Sequence, residues 1–174
     1  MCVDEAYLEF TGRTSLAARI GDLPNLVVLR TLSKAYALAG ARLGTLIAQE
    51  AVVSLLKRII PPYALPASTV EQVLALTEAP QRAMAADRIR TLLGEREAMR
   101  ARLGGMPSVA RVFPSDANFL LVEFADARRA LEAGKAAGLL VRDFSGSPGL
   151  ANCLRISIGT PAQNERLLAA LERA

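Results

Sequence analysis

Apolar residues occur along the chain in short continuous runs that alternate with stripes at helical spacing. The run Leu26 to Leu29, which follows Pro24-Asn25, is typical of a parallel strand covered on both faces. Met1 to Val3 has the pattern of the end of another buried strand, and Leu43 to Ala48 that of a third. The first part of the chain therefore predicts a small sheet.

The middle of the chain predicts helices. One follows Ala48 and ends at Pro61-Pro62, because proline breaks a helix. Another is predicted to begin at Ser68, with Glu71 completing a capping box.

From Gln81 the apolar residues recur at spacings of three, four and seven, which predicts a long amphipathic helix. Gly104-Gly105 should end it, Gly94 should interrupt it mildly, and Arg96 breaks its apolar stripe.

The last third predicts a small α/β unit of its own. A helix is expected from Asp126 to Ala137 and is ended by Gly138. Another should begin with Thr160 as N-cap and Gln163 closing a capping box. Strands are predicted at Val109 to Phe113, Asn118 to Phe124, Leu139 to Phe144 and Cys153 to Ile158.

The composition removes several classes of function. The chain has 174 residues and no histidine, which excludes histidine-based zinc sites and catalytic triads, and we expect no metal. Cys2 and Cys153 lie too far apart to form a CxxC pair. The basic residues are scattered and only 5% of residues are aromatic, so we expect no nucleic-acid partner. The sequence shows neither a long apolar run nor a signal-peptide pattern. We therefore expect no membrane association, and we expect a cytoplasmic location.

Lys34 is the first candidate for chemistry because it follows a buried strand, at the sheet edge where α/β proteins bind ligands. Its neighbours Leu32, Ala35 and Leu38 predict an apolar environment, which favours a neutral amine that can attack a carbonyl. Taken alone, the residue is more often a surface lysine on a loop.

Four ordered blocks stand out along the chain: Val3 to Tyr7, Thr31 to Gly44, Asn118-Phe119, and Val141 to Asp143 together with Cys153 to Thr160. These blocks resemble the fold-type I pyridoxal-phosphate aminotransferases, and within them the histidinol-phosphate aminotransferases. Arg142 and Arg155 stand thirteen positions apart, as in that family.

The resemblance implies an α/β fold, but only the C-terminal half of such an enzyme. Residues 1–62 would be the remnant of the large cofactor domain with its mostly parallel sheet. Residues 63–104 would be connecting helices, and residues 105–174 a small C-terminal α/β domain. Homodimers are typical of the family, and the exposed strand edges of a cut sheet also favour pairing with another chain.

The resemblance also implies roles at the cofactor. Lys34 would hold pyridoxal 5'-phosphate covalently and move a proton at the substrate α-carbon. Asp4 would pair with the pyridine nitrogen, and Tyr7 would donate to the phenolic oxygen. Ser33 and Arg42 would bind the phosphate. Alone, Asp4 could be a turn residue and Arg42 a partner in a surface ion pair.

Substrate contacts are implied in the second half of the chain. Arg155 lies within an apolar strand, where a buried guanidinium needs an anionic partner, and it would bind the substrate α-carboxylate. Arg142 would contact the phosphate end of the substrate. Asn118 could belong to the site or cap a turn.

The function implied is amino transfer between histidinol phosphate and 2-oxoglutarate in histidine biosynthesis. Threonine-phosphate decarboxylase and a non-catalytic fragment unable to hold cofactor are the alternatives. The chain departs from the family pattern at Ala37, where glycine is frequent, and we expect little effect there. It departs again at Ala64 to Pro66, where the family usually has an asparagine.

Overall fold

The computed structural model describes residues 1–76 and 78–173. They form two compact units, Met1–Ile89 and Arg90–Ala174.

The sheet of the first unit has three strands in the order β1-β2-β3: β1 is Cys2–Asp4, β2 is Val27–Thr31 and β3 is Gly44–Ala48. β1 runs parallel to β2, whereas β3 is antiparallel to it. The predicted strands are confirmed in number and position.

The prediction that β2 is covered on both faces holds for one face only. Leu26 and Val28 are fully buried, while Val27 and Leu29 are half-buried. Because successive side chains point to opposite faces of a strand, the second face of β2 is less covered in this chain.

Two helices follow in the first unit, α1 at Glu50–Lys57 and α2 at Ala67–Leu76. The Ser68–Glu71 capping box is wrong, because Ser68 lies inside α2. Val70 N–H donates to the carbonyl of Pro66 at 3.2 Å, so Pro66 accepts the first i to i+4 hydrogen bond of the helix.

The helix α3 spans Ala79–Gly104 without a break at Gly94, so the predicted interruption is wrong. One glycine costs a helix only about 1 kcal/mol, too little to end a helix of this length.

The second unit has an antiparallel sheet in the order β4-β5-β7-β6, with helices α4 at Ala127–Ala136 and α5 at Pro161–Leu171. The Thr160–Gln163 capping box of α5 is confirmed. The strands are β4 at Val109–Val112, β5 at Phe119–Phe124, β6 at Arg142–Asp143 and β7 at Cys153–Ser157.

β6 is shorter than the predicted strand from Leu139 to Phe144. Leu139 N–H donates to the carbonyl of Gly134 at 2.9 Å, so the backbone here closes α4 instead of extending the sheet. Leu140 follows with 88% of its surface exposed.

Alternation along β5 and β7 places the core on one face of the second sheet. Leu120, Val122 and Phe124 point into it from β5, and Leu154 and Ile156 from β7. Arg155 therefore lies on the opposite face. In the described part of the chain, no helix combines the length and apolar character that crossing a bilayer requires.

Candidate functional site

The carboxyl ends of β1 and β2 meet at one edge of the first sheet because these strands are parallel. Asp4 ends β1 opposite Leu29, and Glu5 N–H donates to the carbonyl of Leu29 at 2.8 Å. Asp4 is exposed, and its Oδ1 accepts from Ala6 N–H at 2.9 Å. Lys34 follows the end of β2, so both residues lie toward the same edge.

Lys34 lies above an aromatic ring. Its Nζ is 5.4 Å from the ring centroid of Tyr7, which is half-buried. The predicted apolar environment of the amine is wrong: Leu32 and Ala35 are half-buried, but the Lys34 side chain is exposed. The lysine extends over the Tyr7 ring, which offers a cation–π contact instead.

Thr31 connects Ser33 with the start of β3. Its Oγ1 donates to Ser33 Oγ at 2.9 Å and accepts from Ser33 N–H at 3.1 Å. Thr31 also pairs with Gly44, two positions after Arg42. Ser33 and Arg42 therefore reach the same edge of the sheet.

A helix fixes the loop that precedes Arg42. The hydroxyl of Thr69, buried on α2, donates to the carbonyl of Ala41 at 3.0 Å. Arg42 itself is exposed, and its Nη1 donates to the carbonyl of Ala39 at 3.0 Å. Sequence reasoning missed Thr69, because nothing local marks a contact across 28 positions.

An ion pair that the sequence did not reveal lies beside this edge. Arg30 on β2 donates to Glu9 at 2.5 Å, and the two side chains are 30% and 12% exposed. Tyr36 neighbours them: burial first, and then the Glu9 carboxylate, raise the pKa of its phenol, while Arg30 opposes the rise. The three residues line a cleft of about 210 Å³.

The departure at Ala37 has a structural cost that the sequence analysis did not expect. Its φ is 56°, in the left-handed region. An L-residue there loses about 1–2 kcal/mol that glycine does not lose. Glycine at this position would remove the strain from the loop that carries Lys34.

Ala37→Gly is expected to raise the free energy of unfolding by about 0.5–1 kcal/mol, after allowing for the larger entropy of glycine in the unfolded chain. Urea denaturation measures the change. Ala39→Gly is the matched control, since Ala39 lies in a short 3-10 helix and its φ is not positive. The control should lose stability, and a similar loss in Ala37→Gly would contradict the strain.

In the second unit, Arg155 lies mid-strand on β7, opposite Arg142 on β6. Its guanidinium carbon is 5.1 Å from the ring centroid of Phe119 and 5.8 Å from that of Phe144. Arg142 contacts the same Phe144 ring at 5.3 Å. Two guanidinium groups thus share one aromatic ring, an arrangement that favours an anion.

The Nε of Arg155 is buried, and among the described residues no acceptor hydrogen-bonds to it. A buried donor left unsatisfied costs about 1–3 kcal/mol. A ligand acceptor at this position would recover that cost.

Asn118 precedes β5 and is half-buried, and its carbonyl accepts from Ile158 N–H at 2.9 Å. Ser115 caps the turn before β5: its hydroxyl donates to the carbonyl of Phe119 at 2.6 Å and accepts from Ala117 N–H at 3.1 Å. The turn is therefore closed without the Asn118 side chain.

Arg96, which breaks the apolar stripe of α3, supports the same turn. It is buried, and its Nη1 donates to the carbonyl of Ala117 at 3.0 Å. The break in the stripe was the signal for this contact, although the sequence did not identify the partner.

The two units divide the predicted site residues. The first unit brings Asp4, Tyr7, Ser33, Lys34 and Arg42 to one sheet edge. The second unit carries Asn118, Arg142 and Arg155.

Comparison with known proteins gives one family match over nearly the whole chain. The model of the family described as aminotransferase class I and II matches residues 1–171. A curated histidinol-phosphate aminotransferase from Stenotrophomonas maltophilia is 47% identical over 97% of this chain. The match covers 46% of that protein, so the chain spans about half the length of the curated relatives it matches.

Solved structures give the same picture. Histidinol-phosphate aminotransferase from Sinorhizobium meliloti, in complex with pyridoxal-5'-phosphate, superimposes with a TM-score of 0.81 at 26% identity, covering 99% of this chain and 47% of that one. L-threonine-O-3-phosphate decarboxylase from Porphyromonas gingivalis gives a TM-score of 0.85 at 26% identity, with 99% and 53% covered. The α/β fold is thus that of half of each of these proteins.

Proposed function

The chain belongs to the class I and II aminotransferase family, and from that premise we propose that it is part of a pyridoxal-phosphate-dependent transaminase. The reaction proposed is amino transfer between histidinol phosphate and 2-oxoglutarate, in histidine biosynthesis in the cytoplasm. The observation that carries the proposal is the position of the Lys34 amine, 5.4 Å from the Tyr7 ring centroid, at the sheet edge that Asp4 also reaches.

The donor set at this edge fits pyridoxal phosphate, which when bound supplies an electron-accepting ring for the charge that develops at the substrate α-carbon. Lys34 would hold the cofactor covalently and carry the α-proton on its amine. The Asp4 carboxylate, with Oδ1 already bonded to Ala6 N–H, would keep a proton on the ring nitrogen. Tyr7 would donate to the phenolic oxygen.

Ser33 and Arg42 would bind the cofactor phosphate. Because Ser33 Oγ accepts from Thr31, its own hydroxyl proton remains available for donation. Arg42 uses Nη1 on the loop carbonyl, and its remaining N–H groups suit a phosphate. Thr31 would orient the serine without touching the ligand.

Arg155 would bind the substrate α-carboxylate, and its buried Nε without a partner among the described residues supports this role. Arg142 would contact the phosphate end of the substrate, and Asn118 would also belong to the substrate site. Histidinol phosphate offers a phosphate and 2-oxoglutarate offers carboxylates, so both substrates present anions to this pair.

Arg155→Lys is expected to weaken 2-oxoglutarate binding about tenfold or more, because lysine loses the Nε donor and a charged hydrogen bond contributes about 1.5–3 kcal/mol. The Arg155 Nε–H resonance should report the titration in the parent chain. Arg111→Lys is the control, since Arg111 stacks on Phe113 at 4.3 Å and is exposed. Equal loss in both variants would contradict the assignment.

The active assembly is proposed to be a homodimer, and the isolated chain to be weakly active or inactive. β1 forms an edge of its sheet. Separately, apolar side chains that follow α1 are exposed, including Ile59 at 77% and Tyr63 at 101%. Such surfaces favour pairing with another chain. A monodisperse monomer in solution scattering would count against the dimer.

A chimera tests the function itself. The part of the Stenotrophomonas maltophilia relative that the match leaves uncovered is joined to Met1, and the product is assayed in two ways. Amino transfer from histidinol phosphate to 2-oxoglutarate is the expected activity. Release of carbon dioxide from threonine phosphate would instead support the decarboxylase. The absence of both activities would support a non-catalytic fragment.

A further inference from the structure

We propose that Glu9 is a positioning residue that holds Tyr7 against Lys34. The proposal rests on the proposed function only in that these two residues belong to the cofactor site. Glu9 would act through its neighbours and would touch neither cofactor nor substrate.

The first observation is the short link between Tyr7 and Glu9. Tyr7 precedes a 3-10 helix at Leu8–Phe10, and its carbonyl accepts from Phe10 N–H at 3.0 Å. Phe10 is 2% exposed, which anchors the end of this turn in the interior. Contacts that fix the position of Glu9 therefore also fix the position of Tyr7.

The second observation is that Glu9 contacts the chain on both sides of Lys34. Its carboxylate pairs with Arg30, four residues before Lys34 on β2, and Arg30 is held in register with Thr45 on β3. Tyr36, two residues after Lys34, lines the same cleft as Glu9 and Arg30, and burial first and then the Glu9 carboxylate raise the pKa of its phenol. The turn that carries Tyr7 is thus tied to both flanks of the lysine.

Glu5, the carboxylate at the start of this turn, makes different contacts from those of Glu9. Glu5 is buried, accepts from Ser15 Oγ at 2.6 Å and from Leu16 N–H at 2.7 Å, and so ties the turn to the loop that follows it. Glu9 contacts the chain on either side of Lys34, whereas Glu5 contacts residues 15 and 16.

Because the Glu9–Arg30 ion pair is mostly buried, loss of either side chain should disturb the structure around it. With Glu9 12% and Arg30 30% exposed, removal of either charge leaves its partner in a poorly solvated position. The turn would then lose its side-chain link to β2, and the Tyr7 ring would shift away from the lysine amine. Preorganised contacts of this kind matter because small displacements of a catalytic group cost rate.

The test measures the contact between Lys34 and Tyr7 in the 174-residue chain without cofactor. The chain has only three lysines, so reductive methylation with carbon-13 formaldehyde gives three side-chain signals. The Lys34 methyl signal should be shifted upfield of those of Lys57 and Lys135 by the ring current of Tyr7, and Tyr7→Leu should abolish the shift.

Glu9→Ala is expected to lose most of this upfield shift although Tyr7 is still present. Glu71→Ala, which removes an exposed carboxylate of α2, should leave it unchanged. The double exchange of Glu9→Arg with Arg30→Glu should restore the shift, which a merely destabilising substitution would not do.

An unchanged shift in a folded Glu9→Ala variant would overturn the proposal. If circular dichroism shows that Glu9→Ala is unfolded, Glu9→Gln decides in its place, because it keeps the shape and removes the charge. Loss of the shift in that variant supports the proposal and an unchanged shift overturns it. Both outcomes are independent of cofactor binding, so a failed transaminase assignment is recognised separately.

Discussion

Replacing Lys34 with alanine is expected to lower amino transfer by the chimera about 10²–10⁴-fold, the range that a positioned proton-transfer group contributes, or further. The variant removes both the amine that would bind the cofactor covalently and the group that would carry the α-proton. Lys34→Arg should be equally inactive, since it keeps the positive charge over Tyr7 but cannot form the covalent bond.

Lys57→Ala is the matched control for this loss. Lys57 is exposed at the end of α1, and its removal should leave the transfer rate near that of the parent chimera. If Lys34→Ala retained a rate comparable to Lys57→Ala, the lysine would have no part in the chemistry.

Phe124→Ala is expected to lower the free energy of unfolding of the second unit by about 3–5 kcal/mol, the cost of deleting a large aromatic from a packed core. Phe124 is 2% exposed at the end of β5, in the core cluster that includes Leu103 and Leu168. The same strand carries Phe119, on which Arg155 stacks, so anion binding should weaken as well.

Urea denaturation measures the loss, and the thiol of Cys153 offers a local reporter. Cys153 is 1% exposed and its pKa is raised by burial, so it should react with thiol reagents only as the second unit opens. Leu140→Ala, at a side chain that is 88% exposed, should change stability by no more than about 0.5 kcal/mol. A similar small change in Phe124→Ala would contradict the assigned core.

The elements that local patterns specify were predictable. The apolar run at residues 26–29 predicted β2. The start of α5 was predicted from Thr160, Pro161 and Gln163. In each case the signal and the element lie within a few residues of each other. The order of strands within a sheet has no such signal, and the mixed first sheet became evident only from the structure.

The candidate site was predictable for residues inside the family's motifs, and much less so for those that support them. The Glu9–Arg30 pair spans 21 positions and the Thr69 contact spans 28, and neither has a periodic pattern. The exposure of Lys34 was also missed, because apolar neighbours in sequence do not cover a side chain that points away from them. At Ala37 the sequence predicted little effect, and the positive φ became evident only from the structure.

The most direct measurement is the distribution of cofactor among the lysines of this chain. Pyridoxal phosphate is added, the covalent adduct is fixed with borohydride, and peptide mapping compares Lys34 with Lys57 and Lys135. All three side chains are exposed, so accessibility alone gives Lys34 no advantage. Adduct concentrated on Lys34 is the predicted result, whereas an even distribution, or an adduct favouring Lys57 or Lys135, would contradict the proposed cofactor site.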